Sequence, residues 1–375
     1  MRYSIIVPVF NRPDEVGELL QSLTRQTRKD FEVIIVEDGS TIPCEDVCRQ
    51  YAGILDLHYY NKPNSGPGQS RNYGAERAQG EWLIILDSDV ILPEGYLEAV
   101  EKATHPQSPF VREGQGGGPE GSPSFSAFGG PDRAHHSFTP VQKAISYAMT
   151  SFFTTGGIRG GKKKLDKFYP RSYNMGIRRD VYRQLGGFSK MRFGEDIDFS
   201  YRIVEAGNKT ALLPDAWVYH KRRTDLRKFF RQVYNSGIAR INLSRRHPGT
   251  MKLVHLLPAL FTIGVIALLL LFALGLGLYG CGEWLDAQGL RPTDNMHQGV
   301  GFALCVLALL PLLFFSLLIL TDSSLCNRSL RVGLLSVPAA FVQLTGYGLG
   351  FLHAFWRRII RRQDEFTAFE KNFYS

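Results

Sequence analysis

Two carboxylates stand two residues apart, directly after a short apolar stretch. Asp87 and Asp89 follow Trp82–Leu86, which has the length and composition of a buried strand. Side chains two residues apart at a strand end point to the same side, so these carboxylates could bind one hard divalent cation. An acidic turn that closes a strand has the same pattern, and the triplet alone does not exclude it.

Polar residues also follow the apolar stretches at Tyr3–Val9 and Phe31–Val36. Ligands of open parallel sheets bind beyond the carboxyl ends of the strands, so Asp38 could accept hydrogen bonds from a base or a ribose. The segment Asn64–Asn72 leads into a helix, and its backbone N–H groups, together with Arg71, could face an anion. Each feature alone is also typical of a turn or a helix cap. Together they predict one crevice.

A second acidic group, Glu195 and Asp196, opens a predicted helix. The helix dipole favours acids at this position, which leaves a purely structural role open. Neighbouring residues on a helix do not share a face, so one carboxylate could face the crevice while the other is structural. A carboxylate in the crevice could take a proton from a reacting hydroxyl.

His220 ends the last predicted strand and is followed by Lys221, Arg222 and Arg223. A neutral imidazole could be a metal ligand. The two arginines could neutralise a diphosphate. The alternative is a surface histidine followed by a basic patch that lies close to a membrane.

These residues are predicted to lie at the ends of alternating strands and helices. The first strands are predicted at Tyr3–Val9, Phe31–Val36, Leu55–Tyr60 and Trp82–Leu86, and the helices between them at Asp14–Gln26, Glu45–Tyr51 and Gln69–Ala78. Later strands are predicted at Asn174–Ile177 and Thr210–Tyr219, and later helices at Pro140–Phe153, Asp180–Leu185 and Asp196–Glu205. This order predicts an α/β domain with a Rossmann-like, mostly parallel central sheet. The Gly-rich stretch 111–131 is predicted to be a loop.

The composition excludes some partners. The chain has 375 residues, of which 44% are hydrophobic and 21% charged, and its net charge is +9. Anionic lipid headgroups or a phosphorylated substrate could account for this charge, whereas no zinc-finger spacing or aromatic RNA-binding motif supports a nucleic-acid partner. The five cysteines are an odd number and include no Cys-x-x-Cys pair, so a reduced compartment is expected for the N-terminal part. No charged leader precedes the first strand, and we expect the N-terminal domain to be cytoplasmic.

The predicted organisation has four parts: residues 1–223 form the α/β domain, 224–252 a basic amphipathic helix, 253–356 a membrane region and 357–375 a basic tail. In the second part, apolar residues at helical spacing alternate with arginines, which is typical of a helix in the headgroup plane. A helix that packs on the domain with a solvated basic face is the alternative. Residues 253–278 and 299–320 each provide the ~20 apolar residues that a spanning helix needs.

The third apolar segment, 332–356, is long enough to span but carries several glycines and polar residues. The acidic loop Cys281–Gln298 is expected to face outward, and the basic segments Asn327–Arg331 and Arg357–Arg362 are expected to face inward. Three spans would place the Arg357–Arg362 cluster outside. We therefore favour two spans, with the third segment re-entrant or interfacial, in a multi-pass protein of the cell inner membrane.

Four segments resemble those of the family-2 glycosyltransferases, which have the A-type glycosyltransferase fold. These segments are Val7–Arg12, Glu37–Ser40, Asp87–Asp89 and Gly187–Asp198. The resemblance covers residues 1–225. The chain also resembles the membrane-linked members of the family in His220 and in the basic helix that follows it.

The resemblance implies roles for the residues named above. Asp87 and Asp89 would bind Mg²⁺ or Mn²⁺ on the diphosphate of a UDP- or GDP-sugar, with Asp89 the more direct ligand. Asp38 would contact the base, with Pro8 and Glu15 nearby. Asp196, which follows Glu195 in a Glu-Asp motif, would be the catalytic base.

The implied function is that of an inverting, metal-dependent hexosyltransferase that moves a sugar from a nucleotide-sugar donor to a lipid-linked or glycan acceptor. The product would belong to cell-surface polysaccharide or glycolipid synthesis. A polyprenyl-phosphate sugar synthase, in which a lipid phosphate accepts the sugar, is the alternative. The sequence lacks the Gln-x-x-Arg-Trp motif of processive synthases, which argues against a polymerising enzyme.

Two further classes are disfavoured. A nucleotidyltransferase would be expected to carry a Gly-rich phosphate loop with a lysine at the first turn, and residues 10–13 do not resemble one. A catalytically inactive nucleotide sensor would not be expected to retain Asp87, Asp89 and Asp196 together.

Overall fold

The computed structural model describes residues 2–105, 124–133, 135, 138–156, 168–221, 224–288 and 296–368. Arg222 and Arg223, most of the Gly-rich stretch 111–131 and the end of the basic tail lie outside these ranges.

The described residues form ten strands in two sheets. The strands are β1 (Tyr3–Val9), β2 (Phe31–Asp38), β3 (Leu57–Lys62), β4 (Trp82–Leu86), β5 (Val90–Ile91), β6 (Ala127–Gly129), β7 (Asp132–Arg133), β8 (Asn174–Arg178), β9 (Thr210–Leu212) and β10 (Val218–His220). The main sheet has the order β3-β2-β1-β4-β8-β6-β9, and β5, β10 and β7 form a small second sheet. Strands β1 to β4 run parallel, and β8 runs antiparallel to both of its neighbours. The predicted mostly parallel α/β fold is confirmed.

The helices alternate with the strands and then continue alone. They are α1 (Pro13–Thr24), α2 (Glu45–Tyr51), α3 (Pro67–Arg77), α4 (Tyr96–Thr104), α5 (Pro140–Thr150), α6 (Phe152–Thr155), α7 (Arg179–Gln184), α8 (Glu195–Glu205), α9 (Leu226–Arg246), α10 (Leu257–Ala287), α11 (Met296–Asn327) and α12 (Leu330–Ala354). A 3₁₀ turn, Leu253–His255, precedes α10, and a π-helical turn, Phe355–Ile360, follows α12.

The central strands are buried on both faces, as parallel strands covered by helices must be. Alternate residues of β1 and β4 point to opposite sides, and each side packs into its own apolar cluster. Leu19 and Leu20 of α1 are fully buried on one side, and Phe199 of α8 is buried on the other. Burying a side chain of this size contributes roughly 1.5–3 kcal/mol. The helices that carry polar groups to the strand ends are therefore held against the sheet by apolar packing.

Two predicted elements are interrupted. The expected strand Thr210–Tyr219 is two strands, β9 and β10, in different sheets. Pro214 lies between them and lacks the N–H that a continuous strand needs. The expected helix Pro140–Phe153 breaks at Ser151, which has an extended backbone, and the Ser151 side chain accepts a hydrogen bond from the N–H of Phe153 to begin α6.

Helices α10, α11 and α12 are long and apolar enough to cross a membrane. Helices α10 and α11 run antiparallel: a Cβ on Gly282 would lie 2.7 Å from Cγ of Gln298 at one end, and the rings of Phe261 and Phe315 lie 5.1 Å apart nearer the other. That second end faces the α/β domain, because the Tyr147 hydroxyl of α5 donates to Asp322 of α11 at 2.5 Å.

Helix α12 is unbroken from Leu330 to Ala354. Its first half meets the domain-facing end of α11, where the hydroxyls of Ser323 and Ser336 are 2.7 Å apart. Its second half meets the domain-facing start of α10, where Thr262 donates to the carbonyl of Leu344 at 3.4 Å. The most apolar window of α12 is 44% buried within the protein, against 17% for α10 and 11% for α11. Helix α12 is thus set apart from α10 and α11 by both burial and position.

The start of the basic tail lies along α9. The side chain of Asn235, 1% exposed, donates to the carbonyl of Ala368 and accepts from its N–H. Asn242 donates to the carbonyl of Phe366, and Arg246 pairs with Glu365 at 2.8 Å. Helix α9 is therefore held by α12 and by the tail, and its basic residues Arg227 and Lys228 remain exposed.

Candidate functional site

The Asp-x-Asp pair and His220 come together where β4 and β10 end. Strands β5 and β10 pair antiparallel and set Val90 opposite His220, so the histidine lies beside the acids that precede β5. Asp87, Asp89 and His220 each offer one ligand atom, and these atoms all lie within 4.8 Å of one another. His220 Nε2 is 3.3 Å from Asp89 Oδ1, and its ring stacks on Tyr173. Carboxylates suit Mg²⁺ or Mn²⁺ and an imidazole nitrogen can complete the set, so the residues fit a divalent cation.

Arg71 connects this cluster to the second acidic group. Its guanidinium is 3% exposed and donates to Asp87 and to Glu195, each at 2.8 Å. The buried cation thereby fixes one metal-site carboxylate and the start of α8 relative to each other. Arg71 lies on the crevice, as expected, but the groups that it contacts are carboxylates of the chain itself.

Glu195 and Asp196 have different surroundings although both line the crevice. Burial raises the pKa of Glu195 to about 7, and the ion pair with Arg71 only partly offsets it. Burial also acts to raise the pKa of Asp196, but the ion pair with Arg171 at 2.6 Å, the nearby Arg71 and the N–H of Ile197 together outweigh burial and lower it. Asp196 Oδ1 also accepts the N–H of Ile197 at 2.9 Å. Asp196 is therefore the acid that remains ionised across the neutral range.

Asp38 is buried, and the chain itself supplies its hydrogen-bond donors. The carboxylate is 3% exposed, accepts the N–H groups of Ser65 and Gly66 at 2.9 Å each, and pairs with Lys62. The expectation that these N–H groups face an external anion is therefore wrong. Gly66 has φ +91, a backbone conformation that favours glycine. Asp38 thus anchors the loop that forms one wall of the crevice.

The remaining predicted residues lie as follows. Pro8 and Glu15 line the crevice, and Glu15 pairs with Arg12 at 2.8 Å. Lys221 lines it too and pairs with Glu18 at 2.6 Å. Arg222 and Arg223 lie outside the described residues.

The structure adds groups that sequence reasoning missed. Arg171, which neutralises Asp196, lies just before β8, and a lone arginine there carries no recognisable sequence signal. Glu37, which directly precedes Asp38, is fully buried and accepts hydrogen bonds from Ser40, Tyr59 and the N–H of Cys44. Its role is to hold the β2–α2 turn.

The crevice does not stop at the sheet. It belongs to one cavity of about 1340 Å³ that runs from Pro8 and Asp38, past Asp89 and Asp196, to the start of α10 and the middle of α12. The strand-end acids therefore share a continuous space with the apolar helices.

Family models match two parts of this chain. Residues 4–107 match the model described as glycosyl transferase family 2, and residues 169–320 match the model described as glycosyl transferase family group 2. Both matches include residues of the acid-lined crevice. The resemblance to the family-2 glycosyltransferases is confirmed, and residues 4–107 are the part that the family-2 model itself matches.

Individual relatives agree with this assignment. This chain is 27% identical over 283 residues to the pre-mycofactocin glycosyltransferase of Mycobacterium tuberculosis. The alignment covers 73% of this chain and 53% of the relative. It is 41% identical over 99 residues to an uncharacterized glycosyltransferase of Haemophilus influenzae. That alignment covers 24% of this chain and 31% of the relative. The chain thus spans about half or less of the length of these relatives.

A solved structure is similar over nearly the whole chain. The mannosyltransferase of Pyrobaculum calidifontis, in complex with GDP-Man and Mn²⁺, has a TM-score of 0.54 and 16% identity, and the match covers 95% of this chain and 88% of the other. At this level of identity the likeness shows the fold.

Proposed function

We propose that this glycosyltransferase transfers a sugar, with inversion, from a UDP- or GDP-sugar to a lipid-linked acceptor, and that it requires Mg²⁺ or Mn²⁺. The single observation that carries the proposal is the continuous cavity, because it joins the Asp87–Asp89–His220 cluster, the Glu195–Asp196 pair and the membrane-type helices. A donor bound at the strand ends and an acceptor held beside the membrane-type helices can meet in this cavity.

The donor half of the cavity is arranged around Asp87. Asp87, Asp89 and His220 would hold the cation, which when bound would neutralise the diphosphate and assist its departure. Arg71 holds Asp87 in place, so the metal ligand is preorganised by a buried ion pair. Asp38, which lines the cavity, is the proposed contact of the base, with Pro8 and Glu15 nearby. It also fixes the adjacent loop through the N–H groups of Ser65 and Gly66. Arg222 and Arg223 remain proposed contacts of the diphosphate.

The acceptor half is arranged around α8. In a single in-line displacement the base must take the acceptor proton on the side of the sugar opposite to the leaving group. Asp196 is proposed as this base, because its pKa is lowered and it is ionised at neutral pH. Glu195 assists by holding Arg71.

The surroundings of α12 support a two-span arrangement. Both halves of α12 contact the ends of α10 and α11 that face the α/β domain, which favours a helix that lies along the membrane interface. The basic segment Arg357–Arg362 would then stay on the side of the catalytic domain, as positively charged segments on the cytoplasmic side require. We propose a multi-pass inner-membrane enzyme with a cytoplasmic catalytic domain.

A polyprenyl-phosphate sugar synthase is the second candidate, and one observation favours it. Both oxygens of Asp196 are already engaged, by Arg171 and by the N–H of Ile197, which limits its use as a base. A phosphate acceptor is itself anionic and needs no base. The cation Arg171 on the cavity wall would attract it.

The test is a panel of UDP-, GDP- and dTDP-sugars, scored for release of nucleoside diphosphate with Mn²⁺, with Mg²⁺ and with chelator. The Pyrobaculum enzyme was solved with GDP-Man and Mn²⁺, so GDP-mannose is the first donor to try. We expect metal-dependent release from at least one donor, lost in Asp89→Asn. Absence of metal-dependent release from every donor, by a folded membrane-reconstituted protein, would refute the proposal.

A further inference from the structure

We propose that the membrane-side part of the cavity is a binding site for a lipid whose headgroup is a phosphate. The cations of α9 would bind the phosphate, and the hydrocarbon chain would lie between α6 and α10. This inference rests on the proposed function, since it describes the acceptor that the same cavity would receive.

The polar side of this part is formed by the start of α9. Lys228 and Arg231 both line the cavity. They are three residues apart, and side chains at this spacing are neighbours on a helix surface. Two neighbouring cations beside the cavity suit a phosphate, because hydrogen bonds between ionised partners are the stronger kind. Arg240 lines the cavity further along α9, where it donates to the hydroxyl of Tyr201 at 3.1 Å.

The apolar side is formed by α6 and the start of α10. Phe152 and Phe153 are 71% and 42% exposed, and Leu257 and Leu260 are 48% and 57% exposed, yet all four line the cavity. The segments next to these elements lie close together, since a Cβ on Gly156, which follows α6, would lie 2.6 Å from Cγ2 of Val254 in the 3₁₀ turn before α10. Large apolar side chains that face a cavity at the beginning of a membrane-type helix provide a surface for a hydrocarbon chain.

One polar atom within the membrane-type helices also points to a ligand. Gln343 of α12 lines the cavity, and its Oε1 is buried without a hydrogen-bond partner among the described residues. Polar side chains in membrane helices that remain unsatisfied are costly and mark ligand pathways. A headgroup hydroxyl in this part of the cavity would satisfy Gln343.

A phosphorylated lipid is favoured over a soluble acceptor because the cationic and the apolar walls face the same space. A soluble sugar would not use the phenylalanines of α6, and a neutral lipid would not use the cations of α9. The arrangement recognises both parts of an anionic lipid at once.

The test is native mass spectrometry of the detergent-solubilised full chain, titrated with a polyisoprenyl phosphate, with the matching neutral polyisoprenol, and with dioleoylphosphatidic acid. No donor or metal is added, so the result is independent of the donor-site proposal, which wild-type nucleotide release tests separately. We expect a phosphate lipid to bind at least about ten-fold more tightly than the polyisoprenol. Binding by either phosphate lipid supports the site, and the better of the two identifies the hydrocarbon class.

Matched variants localise the site. Lys228→Gln with Arg231→Gln should weaken phosphate-lipid binding about ten-fold or more, and Phe152→Ser should weaken it through the apolar wall. Arg227→Gln is the control, because Arg227 is an exposed cation on the same helix that does not line the cavity. An equal loss in the control, equal binding of the neutral lipid, or complete competition by millimolar inorganic phosphate would overturn the proposal.

Discussion

Glu195 and Asp196 are neighbours in the chain, and each has its own arginine. Glu195 faces Arg71, which also holds a metal-site carboxylate, whereas Asp196 faces Arg171 at the start of β8. In the proposed reaction the first acid belongs to the donor side and the second to the acceptor side. Their different pKa values follow from these partners and from burial.

Asp196→Asn separates the two candidate reactions. If a hydroxyl accepts the sugar, the variant should lose about 10²- to 10⁴-fold in transfer rate, the usual contribution of a general base. If a lipid phosphate accepts it, transfer should change little. Rates with a hydroxyl-terminated lipid acceptor and with polyisoprenyl phosphate measure the difference. Glu76→Gln, on the exposed side of α3, serves as the control.

Glu195 should produce the acid limb of the pH profile. Because its pKa is raised to about 7, the carboxylate that pairs with Arg71 becomes protonated as the pH falls through neutrality. Donor turnover should therefore decline below about pH 7, and Glu195→Gln should remove this limb. Asp196 has a lowered pKa and should add no ionisation near neutrality. A limb that persists unchanged in Glu195→Gln contradicts the assignment.

Sequence reasoning identified the acids of this site but not their partners. Asp87, Asp89, Asp38 and the Glu195–Asp196 pair stand at strand or helix ends, and that position can be read from local patterns. The link from Arg71 to Glu195 spans 124 residues of sequence, so no local pattern reveals it. Arg171 lies 25 residues from Asp196, and a lone arginine at that distance likewise shows no local pattern.

Helices α8 and α9 are joined by one buried histidine. His247, 6% exposed at the end of α9, places Nε2 3.0 Å from Asp198 and Nδ1 2.8 Å from Glu205. Both carboxylates belong to α8, the helix that begins with the proposed catalytic acids. A displacement of α9 would therefore be transmitted to α8.

His247→Ala should destabilise the protein by about 1–3 kcal/mol, because it leaves the buried Asp198 with fewer hydrogen bonds. Thermal unfolding of the full chain in detergent measures the change. His58→Ala is the control, since His58 also faces carboxylates, Glu32 and Asp56, but is more exposed. Its loss should cost under about 1 kcal/mol. Equal losses of stability in the two variants would show that the buried contacts of His247 stabilise the protein no more than the exposed contacts of His58 do.

At the scale of elements, long and regular patterns were predicted well, and interruptions were not. The βαβα order and the amphipathic helix were correct because apolar periodicity extends over many residues. The breaks at Ser151 and Pro214 depend on single residues and on which sheet the next strand joins. Periodicity does not report these features.

The proposed two-span arrangement predicts which cysteines a membrane-impermeant maleimide reaches. Cys281 lies at the end of α10 away from the α/β domain and Cys326 lies at the domain-facing end of α11, and both are exposed. In intact cells we expect labelling of Cys281 alone, with Cys326 labelled after permeabilisation. Cys281→Ser should abolish the outside signal.

The same assay tests helix α12. An Arg362→Cys variant should be labelled only after permeabilisation if α12 lies along the interface. Labelling of this position from outside, in the Cys281→Ser background, would mean that α12 crosses the bilayer and that three spans are present.

The contact between Asn235 and Ala368 has a consequence for sequence variation. Asn235 binds the main-chain N–H and C=O of Ala368, not its side chain. Replacing Ala368 by another L-residue leaves both groups available, whereas proline removes the N–H. Related proteins could therefore differ in the amino acid at this position and keep the same backbone conformation. Sequence alignment there would underestimate how strictly the backbone conformation is conserved.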